Sequence, residues 1–140
     1  MDLERIQAEL QAAKLDGWLF YDFHNRDPIA YRVLGLDFGK FTSRRWWYFI
    51  PAEGQPKKLA HKVEARKLDG LPGEKRLYLS WKELHSALAE MLEGSARVAM
   101  QFSPEAAIPY VSTVDGGTID LIRSFGVEVA SSADLVQTFE

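Results

Sequence analysis

Three histidines, one glycine-containing turn and one run mixing arginine with tryptophan are the places where this 140-residue chain could carry chemistry. Histidine titrates near neutrality and is the commonest metal ligand, so His24, His61 and His85 come first. None has a partner at a metal-binding spacing. His85 falls in a helical pattern with no second histidine four residues on, and His61 lies in a lysine-rich stretch, so surface or partly buried histidines account for them better than a metal site. Val114-Asp115-Gly116-Gly117-Thr118 has the form of a helix start, where free N–H groups and the helix dipole attract phosphate. The remainder of a glycine fingerprint is missing, and a capped helix start is the better account. Arg44-Arg45-Trp46-Trp47 interleaves cations with aromatics, as single-strand nucleic-acid platforms do. Alternation along a strand would set Arg45 and Trp46 on opposite faces, and the net charge of −3 opposes a polyanion partner, so no nucleic acid is expected. Asp22 and Asp27 suit loop and cap roles better than an acid/base pair. With no Ser/His/Asp grouping either, the sequence shows no catalytic centre.

The elements that would position these residues follow from hydrophobic periodicity. A chain of this length is one domain and buries roughly 70% of its unfolded surface. Absence of cysteine rules out disulfides, thiolate chemistry and Cys-based zinc sites, and fits a reducing cytoplasm, the expected location. No apolar run approaches the ~18 residues that cross a bilayer, so no membrane association is expected. Leu3, Ile6, Leu10 and Ala13 recur at helical spacing, with Asp16-Gly17 as the stop. Trp18-Leu19-Phe20-Tyr21 reads as a buried strand, 22–27 as a loop, and Asp27-Pro28 as the N-cap and first position of a short helix ending near Gly35. Trp46 to Ile50 and Lys57 to Val63 form a hairpin, its first arm buried on both faces and its lysine-rich second arm an edge or half-exposed strand. Further strands are expected at 76–79, 97–101 and 127–130. Ser80-Trp81-Lys82-Glu83 is a capping box leading a helix whose stripe is Leu84, Ala87, Leu88, Met91 and Leu92. Ile119, Ile122 and Phe125 mark another helix, closed by Gly126. The result is a layered α/β domain over residues 1–140 with a mixed sheet of five or six strands.

Four stretches carry a resemblance in addition. These are Asp16-Gly17-Trp18-Leu19-Phe20; Trp46 to Pro51 with Ala52-Glu53-Gly54; Ala107-Ile108-Pro109-Tyr110-Val111-Ser112; and Asp120 to Val129 followed by Ser131 to Gln137. In this order they resemble the N-terminal domain of creatinase/prolidase metallopeptidases, the Xaa-Pro dipeptidases and aminopeptidases. The resemblance implies a ribonuclease H-like, three-layer α/β/α fold. It also implies a partner, a C-terminal pita-bread catalytic domain of the same protein holding a divalent metal pair (Mn, Co or Zn) on two Asp, one His and two Glu. None of those ligands maps onto this chain, so no catalytic or metal residue and no cofactor is expected within it. What it implies for this domain is support: homodimer contacts and part of the wall by which peptide substrate reaches the active site. The loop after the first strand, with Phe23, His24 and Arg26, is the candidate for that wall.

Two alternatives stay open at this stage. One is a freestanding α/β binding or interaction module with its ligand near Asp115 to Thr118. The other concerns the last helix, capped by Ser131 or Ser132, which has no C-cap residue and ends on a glutamate opposed to its dipole. Fraying from Thr138 to Glu140, and a native chain that continues past Glu140, are the expectations there.

Overall fold

The computed structural model describes residues 1–140. In chain order the helices are α1 (Leu3–Ala12), α2 (Pro28–Leu34), α3 (Trp81–Met91), α4 (Gly116–Arg123) and α5 (Ala133–Phe139). The strands are β1 (Gly17–Asp22), β2 (Trp46–Pro51), β3 (Lys57–His61), β4 (Glu74–Tyr78), β5 (Arg97–Met100) and β6 (Glu128–Ser131). They form one six-stranded sheet in the order β4-β3-β2-β1-β5-β6. β1–β2 and β2–β3 pair antiparallel, and the other neighbours pair parallel, so the sheet is mixed. Nineteen buried residues pack on the face under α1, α2 and α5 and eighteen on the face under α3 and α4. Near-equal cores on both faces explain why β1 and β2 are continuous apolar runs rather than alternating ones. Trp18, Phe20, Trp46, Tyr48 and Ile50 point one way, and Leu19, Tyr21, Trp47 and Phe49 the other.

Local chemistry sets the element ends. Asp27 caps α2 by accepting from the Ala30 N–H, Pro28 opens the helix and Gly35 closes it in the left-handed region at φ 72°. Ser80 and Glu83 form the reciprocal capping box of α3, and Leu84, Ala87, Leu88, Met91 and Leu92 are all buried.

Four expectations are corrected. α1 ends at Ala12, with Ala13 as its C-cap and Lys14 left-handed at φ 57°, and not at Asp16-Gly17. Asp16 instead stitches the sheet: its carboxylate accepts from the Ala96 and Arg97 N–H groups while its backbone bonds Arg97 and Ala52. β3 is an interior strand, because β4 pairs with it along its whole length, from Lys57 opposite Glu74 to His61 opposite Tyr78. Charge still guards the edge, one strand further out, in the exposed Glu74, Lys75 and Arg76 of β4. Phe125 lies beyond the end of α4, half-buried against the core. Finally, the end of α5 is tied down rather than frayed. The Glu140 N–H donates to the Val136 carbonyl, and its carboxylate accepts from Arg32 and from the Tyr110 hydroxyl.

Gly17 is needed for close approach. A Cβ there would lie 2.3 Å from Cε1 and Cζ of Phe49 and 2.9 Å from the Ile50 carbonyl oxygen. Phe49 is enclosed by core side chains, so the ring cannot swing away. Gly17→Ala should therefore destabilise the fold by about 2 kcal/mol in chemical denaturation, the usual scale for overpacking. An unchanged midpoint would show that the ring has room to yield.

Candidate functional site

The carboxyl end of β1 opens into a buried polar hub that fixes the loop 23–27. Asp22 and Asp27 are both about 1% exposed, so every lone pair facing the interior needs a donor. Asp22 Oδ1 accepts from the Asp27 N–H at 2.9 Å, and Oδ2 accepts from the Asn25 N–H at 3.0 Å and the Tyr31 hydroxyl at 2.7 Å. The Tyr31 proton being committed to Asp22, its oxygen accepts from Thr42 at 2.8 Å. Asp27 Oδ2 accepts from Gln101 Nε2 at 2.7 Å. Gln101 Oε1 in turn accepts from Trp18 Nε1 at 2.8 Å and Ser132 Oγ at 2.9 Å, which joins β1, β5 and the start of α5.

This hub holds His24 and Asn25 left-handed, at φ 59° and 56°. Asn25 Nδ2 also donates to the Phe38 and Lys40 carbonyls, binding the loop 23–27 to the loop 36–45. The three residues expected at a ligand wall consequently meet at the surface. The Phe23 ring stacks on His24 with centroids 3.9 Å apart, and the Arg26 guanidinium sits 5.2 Å from the Phe23 centroid. Phe41, which sequence reasoning missed, completes the group 5.4 Å from His24 and is 68% exposed. Aromatic faces beside a cation can pack on a small ring and pair with a carboxylate. No nucleophile with its base stands among them.

The other candidates are structural. His61 is buried, accepts from the Val63 N–H through Nδ1 and meets Tyr78 edge-on. His85 packs between Trp81 and Phe125. No group of three or more His, Asp or Glu side chains is placed to hold a metal, so the residues present do not fit a dinuclear site. Trp46 and Trp47 are fully covered and offer no stacking face to a nucleobase. At Val114 to Thr118, Asp115 accepts from the Thr118 N–H and hydroxyl, so its carboxylate fills the place a phosphate would take.

Electrostatics follow the burial. Desolvation, joined by the neighbouring Asp22 charge, pushes Asp27 up to about 6 against the hydrogen bonds from Gln101 and Ala30. Burial likewise holds the Tyr31 hydroxyl well above its ordinary range. Because Asp27 binds its proton more tightly folded than unfolded, stability should fall as pH rises from about 4 to about 6, by roughly 3 kcal/mol. Asp27→Asn should flatten that decline when urea unfolding is followed across the window. A slope unchanged in the variant would place its origin elsewhere. Glu64 differs: burial works to raise it, but N–H groups of Ser43 and Arg44 hold it below the ordinary carboxylate range.

Architecture and hub define the chain as a three-layer α/β domain in which the loops 23–27 and 36–45 meet at the carboxyl edge of β1. Its fold is that of the creatinase/prolidase N-terminal domain. No protein-family model and no curated protein sequence matches the chain, and the likeness is carried by solved structures alone. A proline dipeptidase structure from Streptococcus agalactiae 2603V superposes with a TM-score of 0.73 at 14% identity, over 99% of this chain and 97% of that one. The creatinase/prolidase N-terminal domain of an X-Pro dipeptidase from Streptococcus pyogenes gives 0.66 at 15% identity, over 97% and 96%. The prolidase from Pyrococcus horikoshii OT3 gives 0.65 at 14% identity, and here 97% of this chain spans only 33% of the longer one. No helix is long and apolar enough to cross a membrane.

Proposed function

We propose that the chain is a non-catalytic N-terminal domain of a metal-dependent Xaa-Pro peptidase, one that supports a homodimer and forms part of the wall along the substrate path. The observation supporting this most is the match over nearly the whole of separately solved N-terminal domains, together with longer prolidases in which the matched part is about a third of the chain. On this reading the principal partner is a C-terminal catalytic domain of the same protein, which supplies the divalent metal and its ligands. Phe23, His24 and Arg26, with Phe41, face peptide substrate only in the assembled enzyme. Dipeptidase or aminopeptidase action is a property of the catalytic domain, and the cysteine-free composition suits a cytoplasmic enzyme.

Reading the gene beyond Glu140 tests the proposal. A following domain bearing two spaced Asp, one His and two Glu ligands supports it. A stop codon directly after Glu140 contradicts it.

A further inference from the structure

We propose that Lys67 is a site of covalent attachment for small uncharged aldehydes, joined to its amine as an imine. The amine is both reachable and poorly solvated. Lys67 is half-buried on the wall of a cleft formed by residues 35–41 and 62–70. Its Nζ donates to the Lys40 carbonyl at 3.2 Å and lies 5.6 Å from the centroid of the Tyr31 ring, so a carbonyl and an aromatic face stand where water would. No carboxylate pairs with it. The four ion pairs of the molecule use Arg32, Lys75, Arg76 and Arg97. An ammonium in such surroundings loses hydration without gaining a counter-charge in contact, which favours the neutral, nucleophilic amine. Burial accordingly holds Lys67 below the ordinary lysine range, although Glu64, Asp22 and Asp37 work to raise it.

The other lysines lack this combination. Lys14, Lys40, Lys62 and Lys82 are exposed to water, and Lys75 is paired with Asp69. Lys57 lies opposite Glu74 in the register of β3 with β4. Lys58 is only 8% exposed, which shuts a reagent out. The reaction needs no further participant. Nζ adds its lone pair to the aldehyde carbon, a proton passes from nitrogen to the former carbonyl oxygen, and that oxygen leaves as water when the C=N bond forms. Nothing is oxidised or reduced. An uncharged partner fits the cleft, where Lys40, Lys62 and Arg66 are interleaved with Asp37, Glu64 and Asp69 and neither sign prevails.

The test exposes the folded 140-residue chain briefly to propionaldehyde and cyanoborohydride at mildly alkaline pH, and peptide mass mapping reads the extent of labelling at each lysine. Hydride from the reagent fixes each imine as a secondary amine. Lys67 should be labelled at least about fivefold faster than Lys14 or Lys82, because more of its amine is neutral. In urea, where every lysine is hydrated alike, that advantage should vanish. Lys67→Arg should remove the fast-labelled peptide and leave labelling at the other lysines unchanged. Glyoxylate, an aldehyde that carries a carboxylate, should show no stronger preference for Lys67 than propionaldehyde does. Labelling of Lys67 no faster than that of Lys14 would overturn the proposal, as would an advantage that survives in urea or a stronger preference shown by glyoxylate. The result is independent of the peptidase reading, since it concerns the amine and its cleft alone.

Discussion

Gln101→Leu should cost about 5 kcal/mol of folding free energy, the largest loss expected from any single change to the hub. Leucine matches glutamine in size, so packing is nearly preserved and the effect isolates hydrogen bonding. The substitution strands three buried groups at once, Asp27 Oδ2, Trp18 Nε1 and Ser132 Oγ, each an unmet polar atom worth roughly 1–3 kcal/mol. Against a total stability on the order of 5–15 kcal/mol, this brings the domain close to unfolding at ambient temperature. Urea denaturation at neutral pH measures it. A cost below about 1 kcal/mol would mean that water reaches the hub and replaces the amide.

Leu88→Ala should cost about 2–5 kcal/mol, the range for truncating a fully enclosed leucine. Leu88 is completely buried in the core under α3 and α4, among side chains of β1, β2 and β5. β1 and β2 are held from both faces and cannot collapse toward the gap, which favours the upper half of that range. A loss under about half a kilocalorie per mole would indicate an exposed position.

Much of this architecture is legible in the chain because its signals are local. Trp18 to Tyr21 and Trp46 to Ile50 are unbroken apolar runs, as strands covered on both faces must be. Asp27-Pro28 and Ser80 to Glu83 carry their cap chemistry within four residues. The mistakes arise where a distant partner decides. Lys57 and Lys58 look like edge residues until β4, itself Glu-Lys-Arg, pairs outside them. Glu140 opposes the α5 dipole taken alone, yet Arg32 and Tyr110, 108 and 30 residues away, hold its carboxylate. The hub is illegible for the same reason. Gln101 reaches Asp27 and Trp18 across 74 and 83 residues, and a single glutamine after a strand carries no pattern of its own. At the candidate wall, Phe23, His24 and Arg26 were readable as a loop bearing aromatics and a cation. Phe41 was not, because only the Asn25 bonds to the Phe38 and Lys40 carbonyls bring the second loop alongside.

The proposed supporting role excludes hydrolysis by this domain itself, and a direct assay tests that. The purified 140-residue chain is incubated with Xaa-Pro dipeptides and manganese or cobalt, and release of free proline is followed beside a metal-only control. No release above the control is the predicted result, since no cluster of carboxylates and histidines is placed to hold the metal. Metal-dependent proline release that copurifies with the folded chain would contradict a non-catalytic role.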